Sequence, residues 1–172
     1  MLLKMLGSTM VIISCGMIGL KFSSNYEERL EILLSFKKCF RLLKNEINHT
    51  NLSLIEALKN IQFGCDEIIK KLIDEIVNRY ENNKSSLHIC WQESIDCIIT
   101  KTSLKEKEIS IFKVIGTNLG VTNRENQIEY IDGIIEKINV IVEDLQSNKT
   151  NKCKVYKSMG VMTGLLIVIL FV

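Results

Sequence analysis

The stretch from Thr122 to Lys157, TNRENQIEYIDGIIEKINVIVEDLQSNKTNKCKVYK, decides how the rest of the chain is read. Its apolar residues recur at Ile128, Ile131, Ile135, Ile138, Val142 and Leu145, in steps of three and four. That spacing lays one apolar stripe along a single long helix, whereas a strand alternates its faces every two residues. Thr122 or Asn123 is placed to cap the start, with Glu125 as the box partner of Thr122. Lysines follow at 149, 152, 154 and 157, and an uncharged apolar tail then runs to Val172. The pattern predicts a rod that leads from a packed helical domain towards a membrane.

Composition points the same way. The 172 residues contain no proline and nine glycines, too little punctuation for many short strands, so the expected fold class is all-α. A net charge of +2, with no basic stripe interleaved with aromatics, argues against nucleic acid as a partner. The six cysteines (15, 39, 65, 90, 97 and 153) are scattered without a CxxC pair, which reads as reduced thiols rather than a disulfide framework.

At the other end, Met5 to Leu20 is uncharged and apolar between Lys4 and Lys21. As helices, this run and the tail from Met159 would measure about 24 Å and about 21 Å, against a hydrocarbon core of about 30 Å. Flanking lysines that snorkel and a locally thinned bilayer close the gap, so both ends are expected to span a membrane. Gly160 and Gly164 have the GxxxG spacing that lets membrane helices approach closely. Lys21, Arg29, Lys37 and Lys38 lie just after the first apolar run, on the same side as the 149–157 lysines. The positive-inside bias then places the middle of the chain in the cytoplasm. The alternative is a lipoprotein: Ile12-Ile13-Ser14-Cys15 resembles a cleavage box, with Cys15 as the lipidated residue of an extracytoplasmic helical binding protein. Against it, the apolar run continues past Cys15 to Leu20 and the preceding basic region is meagre.

Between the ends, periodicity predicts a bundle of about six helices. The first runs from about Tyr26 to Asn48, with Tyr26, Leu30, Leu33, Phe40, Leu43 and Ile47 on its stripe and Phe36 and Leu42 widening it. Ser53 and Glu56 form a capping box for a short helix bearing Leu54, Leu58 and Ile61, and Gly64 is placed for a left-handed stop. Asp66 opens a helix with Ile69, Leu72, Ile73, Ile76 and Tyr80, closed by the turn Asn82-Asn83-Lys84. Ser86 caps a helix bearing Trp91, Ile95 and Ile98. Ser103 and Glu106 form a second box for Ile109, Phe112, Ile115 and Leu119, with Gly120 as its stop. Each helix has one apolar side, so they must pack together.

Chemistry is sparse. His88, Cys90 and Cys97 share one helix, but their spacing fits no usual structural zinc site and buried packing explains the cysteines. A Cys90–His88 hydrolase lacks a nucleophile turn. His49 sits in a polar turn. The acid pairs Glu27–Glu28, Glu106–Glu108 and Glu143–Asp144 read as solvated faces, and Gly116 and Gly120 as close helix packing and a helix stop. No nucleotide-binding GxxxxGK[ST] occurs. No catalytic, cofactor or metal residue is therefore assigned.

Several short stretches resemble the stage III sporulation protein AB family of endospore-forming bacteria: Met1-Leu2-Leu3-Lys4-Met5-Leu6-Gly7, Glu28-Arg29-Leu30, Asn45-Glu46-Ile47, Leu52-Ser53-Leu54-Ile55-Glu56-Ala57 and Trp91-Gln92-Glu93-Ser94. The most specific is Gly116-Thr117-Asn118-Leu119-Gly120, followed by Asn123 and Gln127. The chain has Asn123 where the family favours Asp; the helix start survives, but a role needing negative charge there does not carry over. The resemblance covers essentially the whole chain. It implies a non-enzymatic membrane scaffold whose soluble part is similar to the cytoplasmic domain of the type II secretion platform protein. The partners it implies are a stage III sporulation protein AA-like ATPase, other subunits of the sporulation channel and membrane lipids. The expected layout is a transmembrane segment at 1–22, a cytoplasmic bundle at 23–157 and a second transmembrane segment at 158–172.

Overall fold

The computed structural model describes residues 2–50, 52–83, 86–119 and 123–171. In order they form α1 (Leu2–His49), α2 (Leu54–Ile61), α3 (Glu67–Asn83), α4 (Leu87–Ile98), α5 (Glu106–Asn118) and α6 (Arg124–Phe171). A 3-10 turn follows α2 (Gln62–Gly64) and another follows α4 (Ile99–Lys101). No strand occurs among the described residues. The N-terminal apolar run and the helix expected from Tyr26 are one element, because neither proline nor glycine intervenes between Lys21 and His49.

The chain forms two compact units. One comprises Met1–Leu30 with Asp144–Val172, the other Glu31–Glu143. In the second unit, α6 buries Ile131, Ile134, Ile135, Ile138 and Val142, while Ile128 at the start of the expected stripe is half-buried. Facing residues of α1 are equally dry: Leu33, Phe36, Phe40 and Leu43 are all 1% exposed or less. Phe36 stacks on Phe112 of α5 at 3.8 Å between ring centroids and lies 6.0 Å from Phe40. Fully burying each such ring contributes about 1.5–3 kcal/mol from area alone. At the rim, Lys44 of α1 meets Asp132 of α6 at 2.6 Å.

The local start signals hold in part. Ser53 and Glu56 make the reciprocal box, the Ser53 amide donating to Glu56 Oε2 at 2.9 Å and the Glu56 amide to Ser53 Oγ at 3.3 Å. Asn123 caps α6, its Oδ1 accepting from the Asn126 amide at 3.1 Å; Thr122 lies outside the described residues, as do Lys84 and Gly120. Ser86 starts α4 through its carbonyl, which accepts from Ile89 and Cys90, rather than through its hydroxyl. The Ser103–Glu106 box is displaced by two residues: α5 begins at Glu106, and Glu108 reaches back to the Lys105 amide at 2.8 Å. Leu104 is buried at the entry, so packing fixes where this helix starts. Gly64 does not supply a left-handed stop. The 3-10 turn ends α2 instead, and Gly64 lies against Leu42, where an added Cβ would come within 3.0 Å of the leucine.

The expectation of terminal transmembrane segments at 1–22 and 158–172 is not met at the level of single helices. Among the described residues no helix is long and apolar enough to cross a membrane. The two apolar runs are a few residues short of the roughly 20 that a span requires. What they form instead is the first unit.

Candidate functional site: the paired helix ends

Within the first unit, residues early in α1 and late in α6 pack antiparallel through backbone rather than through large side chains. An added Cβ on Gly19 would lie 2.6 Å from the Tyr156 carbonyl oxygen and 3.2 Å from Gly160 Cα. One on Gly160 would lie 2.7 Å from the Cys15 carbonyl oxygen and 3.1 Å from Gly19 Cα. Only glycine fits at either position, which is how small residues let helices associate without a hydrophobic driving force. Gly164, a turn beyond Gly160, is buried as well.

From this crossing the pair is sewn together towards Leu30 and Asp144. Phe22 meets Tyr156 at 6.0 Å between centroids. Tyr26 is 7% exposed, and its hydroxyl donates to the Leu145 carbonyl at 2.9 Å. Burial pushes the Tyr26 phenol above its ordinary pKa, so it stays a neutral donor. Lys152 Nζ sits 5.7 Å over the Tyr26 ring. Leu145 and Cys153 complete the buried seam.

In the other direction the outer surface of the pair is apolar and open. Leu6, Met10, Ile13, Met17 and Ile18 of α1 and Met159, Met162, Leu166 and Ile169 of α6 are each more than half exposed. Soluble chains rarely leave contiguous apolar surface of this kind uncovered. Charge divides with the units: the first carries seven Lys/Arg against three Asp/Glu, the second fifteen against seventeen.

The second unit holds a packing knot built from two of the motif stretches. Trp91 of α4 lies directly on Gly116 of α5, where an added Cβ would be 2.4 Å from the indole Cγ and Cδ1. Its Nε1–H donates to the Phe112 carbonyl at 2.8 Å. Gly116 is thus the close-packing glycine that its spacing suggested. An open groove of about 560 Å3 runs between α5 and α6, walled by Val114, Ile115, Tyr130, Ile134, Glu129 and Lys137.

The remaining candidates do not converge. Cys90 is buried, and burial pushes its thiol up, the wrong direction for a nucleophile. His88 and Cys97 are exposed, and His88 Nδ1 lies 3.1 Å from Ser86 Oγ. Among the described residues no group of three or more His, Cys, Asp or Glu could hold a metal. His49, Glu106, Glu143 and Asp144 are exposed and Glu27 and Glu28 half-buried, whereas Glu108, expected on a solvated face, is buried with its carboxylate accepting from the Lys105 amide. One pair was not foreseen: Cys39 of α1 and Cys65 after the first 3-10 turn share a thiol hydrogen bond. It holds Cys39 well above the ordinary range and draws Cys65 below it, with Lys38 helping the latter. Beside it Asp66 accepts from Ser35 at 2.6 Å and Lys38 at 3.1 Å, which lowers its carboxyl pKa. The 26-residue separation of Cys39 and Cys65 gave no local signal.

Comparison with known proteins points to one family. The family model for stage III sporulation protein AB matches residues 4–172. Stage III sporulation protein AB of Bacillus subtilis (strain 168) is 22% identical over 169 residues, covering 98% of this chain and 99% of that protein. A solved structure of stage III sporulation protein AB superposes with a TM-score of 0.64 at 19% identity, over 72% of this chain and 98% of that one. At that identity the structural match speaks to the helical fold alone.

Proposed function

The chain belongs to the stage III sporulation protein AB family, and we propose that it is a non-enzymatic, membrane-attached scaffold subunit of the stage III sporulation complex. In this reading the segments 1–22 and 158–172 enter the lipid side by side, and residues 23–157 face the cytoplasm. The observation that carries it is the first unit: two apolar helix ends locked backbone to backbone at Gly19 and Gly160, with exposed leucine, isoleucine and methionine around them. Entering as a pair lets thin, snorkelled segments share the cost of mismatch. The second unit, with its rigid core and the groove between α5 and α6, then offers the docking surface for the ATPase of the complex and for other membrane subunits.

The test is fractionation and partner capture. The full chain is expected in the membrane fraction, resistant to alkaline carbonate, with residues 31–143 open to protease only from the cytoplasmic side. Co-expression with the ATPase subunit should retain that subunit on the chain in mild detergent. Recovery as a free monomer from a detergent-free extract overturns the membrane part; no retention of the ATPase overturns the docking part. Mass spectrometry separates the lipoprotein alternative, which requires a mature chain starting at a diacylglyceryl Cys15. Cys15 lies inside α1 with its carbonyl against Gly160, a poor place for a cleavage site.

A further inference from the structure

The antiparallel pairing aligns two boundaries that are far apart in sequence. On α1 the uncharged run ends at Leu20, and Lys21 and Phe22 follow; on α6 the lysines end at 157 and the uncharged run begins with Ser158 and Met159. Gly19 against Gly160 and Phe22 against Tyr156 set these two transitions at one level. Below that level both helices are apolar and open to the outside. Above it stand lysines without acidic neighbours in sequence, since no Asp or Glu occurs before Glu27 or after Asp144.

The level has the chemistry of a bilayer interface. Phe22 is 56% exposed, and Tyr156 beside it is half-buried. Lys21 and Lys154 are exposed, and Lys152 is half-buried with its ammonium over Tyr26. From Lys149 to Lys157 the lysines climb about 12 Å of helix, comparable with the depth of a headgroup layer. Aromatic rings with apolar bodies and long basic side chains are the residues that settle at this depth.

Resting on the membrane reading above, we infer that Lys21, Lys152 and Lys154 form a collar that binds anionic phospholipid headgroups and fixes the membrane plane at the Phe22–Tyr156 pair. The lysines supply the charge and the aromatic pair the depth. An anionic lipid suits a collar whose Lys152 ammonium lies over the Tyr26 ring.

Spin-labelled lipid association tests this with the full chain in phosphatidylcholine vesicles. Spin-labelled phosphatidylglycerol should associate about fivefold more strongly than spin-labelled phosphatidylcholine, the equivalent of about 1 kcal/mol for one lysine at the headgroups. The preference should fall with added sodium chloride. The combined K21Q, K152Q and K154Q variant should remove most of the preference, Lys149 and Lys157 remaining. K70Q with K101Q and K107Q, all exposed in the second unit, should leave the preference intact and controls for net charge. Inorganic phosphate at matched ionic strength should do no more than chloride. Equal association of the two lipids in the unmodified chain, or a preference undiminished by the triple substitution, overturns the collar and leaves membrane attachment standing. Competition by phosphate beyond its ionic strength overturns lipid as the ligand. A chain that fails to enter the vesicles overturns the membrane reading itself.

Discussion

Replacing Gly116 by alanine should destabilise the second unit even though alanine is the better helix former. In an open helix interior the exchange stabilises by about 1 kcal/mol. Here the new methyl would lie 2.4 Å from Cγ and Cδ1 of Trp91, an indole only 3% exposed. Relief requires the ring to move, and overpacking of this kind costs about 1–3 kcal/mol. If the movement also breaks the bond from Nε1 to the Phe112 carbonyl, an orphaned buried donor adds about 1–3 kcal/mol. Together these exceed the propensity gain, leaving a net loss of about 1–5 kcal/mol. Gly133 is the internal control, because it is exposed on α6 with nothing within 4 Å of an added Cβ. Its alanine variant should gain up to about 1 kcal/mol. The assay is denaturant unfolding in mild detergent, followed by fluorescence of Trp91, the sole tryptophan. Its native emission should shift in G116A and stay unchanged in G133A. Opposite signs for the two glycines are the signature. A Gly116→Ala variant as stable as Gly133→Ala, with unmoved emission, refutes the argument that the indole occupies that space.

Gly160→Val should unzip the first unit, since its side chain meets the Cys15 carbonyl and Gly19 backbone, neither of which can rotate away; limited proteolysis of the detergent-extracted chain should then cut among residues 2–20, and an unchanged digest would count against the crossing. Cys65 should alkylate at neutral pH well ahead of Cys39, and Cys39→Ala should slow it by removing the thiol that hydrogen-bonds its thiolate, as read by peptide mass spectrometry; no change on substitution would contradict the pairing. Asp66 has a folded pKa below its unfolded value of about 3.9, so its contribution is present above that pH and is lost as pH falls through the lower folded value. Asp66→Asn should therefore cost less than about 1 kcal/mol at neutral pH, given the pair's exposure, and the gap to the unmodified chain should close below pH ~4 in unfolding titrations.

How much could be read in advance follows the range of each interaction. The α6 stripe was legible because burial repeats every turn, and five of its six positions, Ile131 to Leu145, are buried. Ser53 and Glu56 were legible because a box needs only three residues of spacing. The start of α5 was not, since Glu106 and Glu108 both offer a carboxylate and a distant contact, the burial of Leu104, decides between them. Trp91 and Gly116 were each noticed in a motif, but nothing along the chain says that one lies on the other. Likewise the GxxxG spacing picked out Gly160 without naming its partner, because Gly19 is about 140 residues away. The apolar ends were read as two independent spans; pairing, a long-range fact, turned them into one body.

That distance sets an order of events during synthesis. A ribosome adding about 5–20 residues per second needs on the order of ten seconds or more to travel from Gly19 to Gly160. Throughout that interval the notch at Gly19 stands vacant. Residues 31–143 emerge in the meantime and gather the strand of chain between the two glycines, shortening the search. The clasp is therefore the last joint to shut.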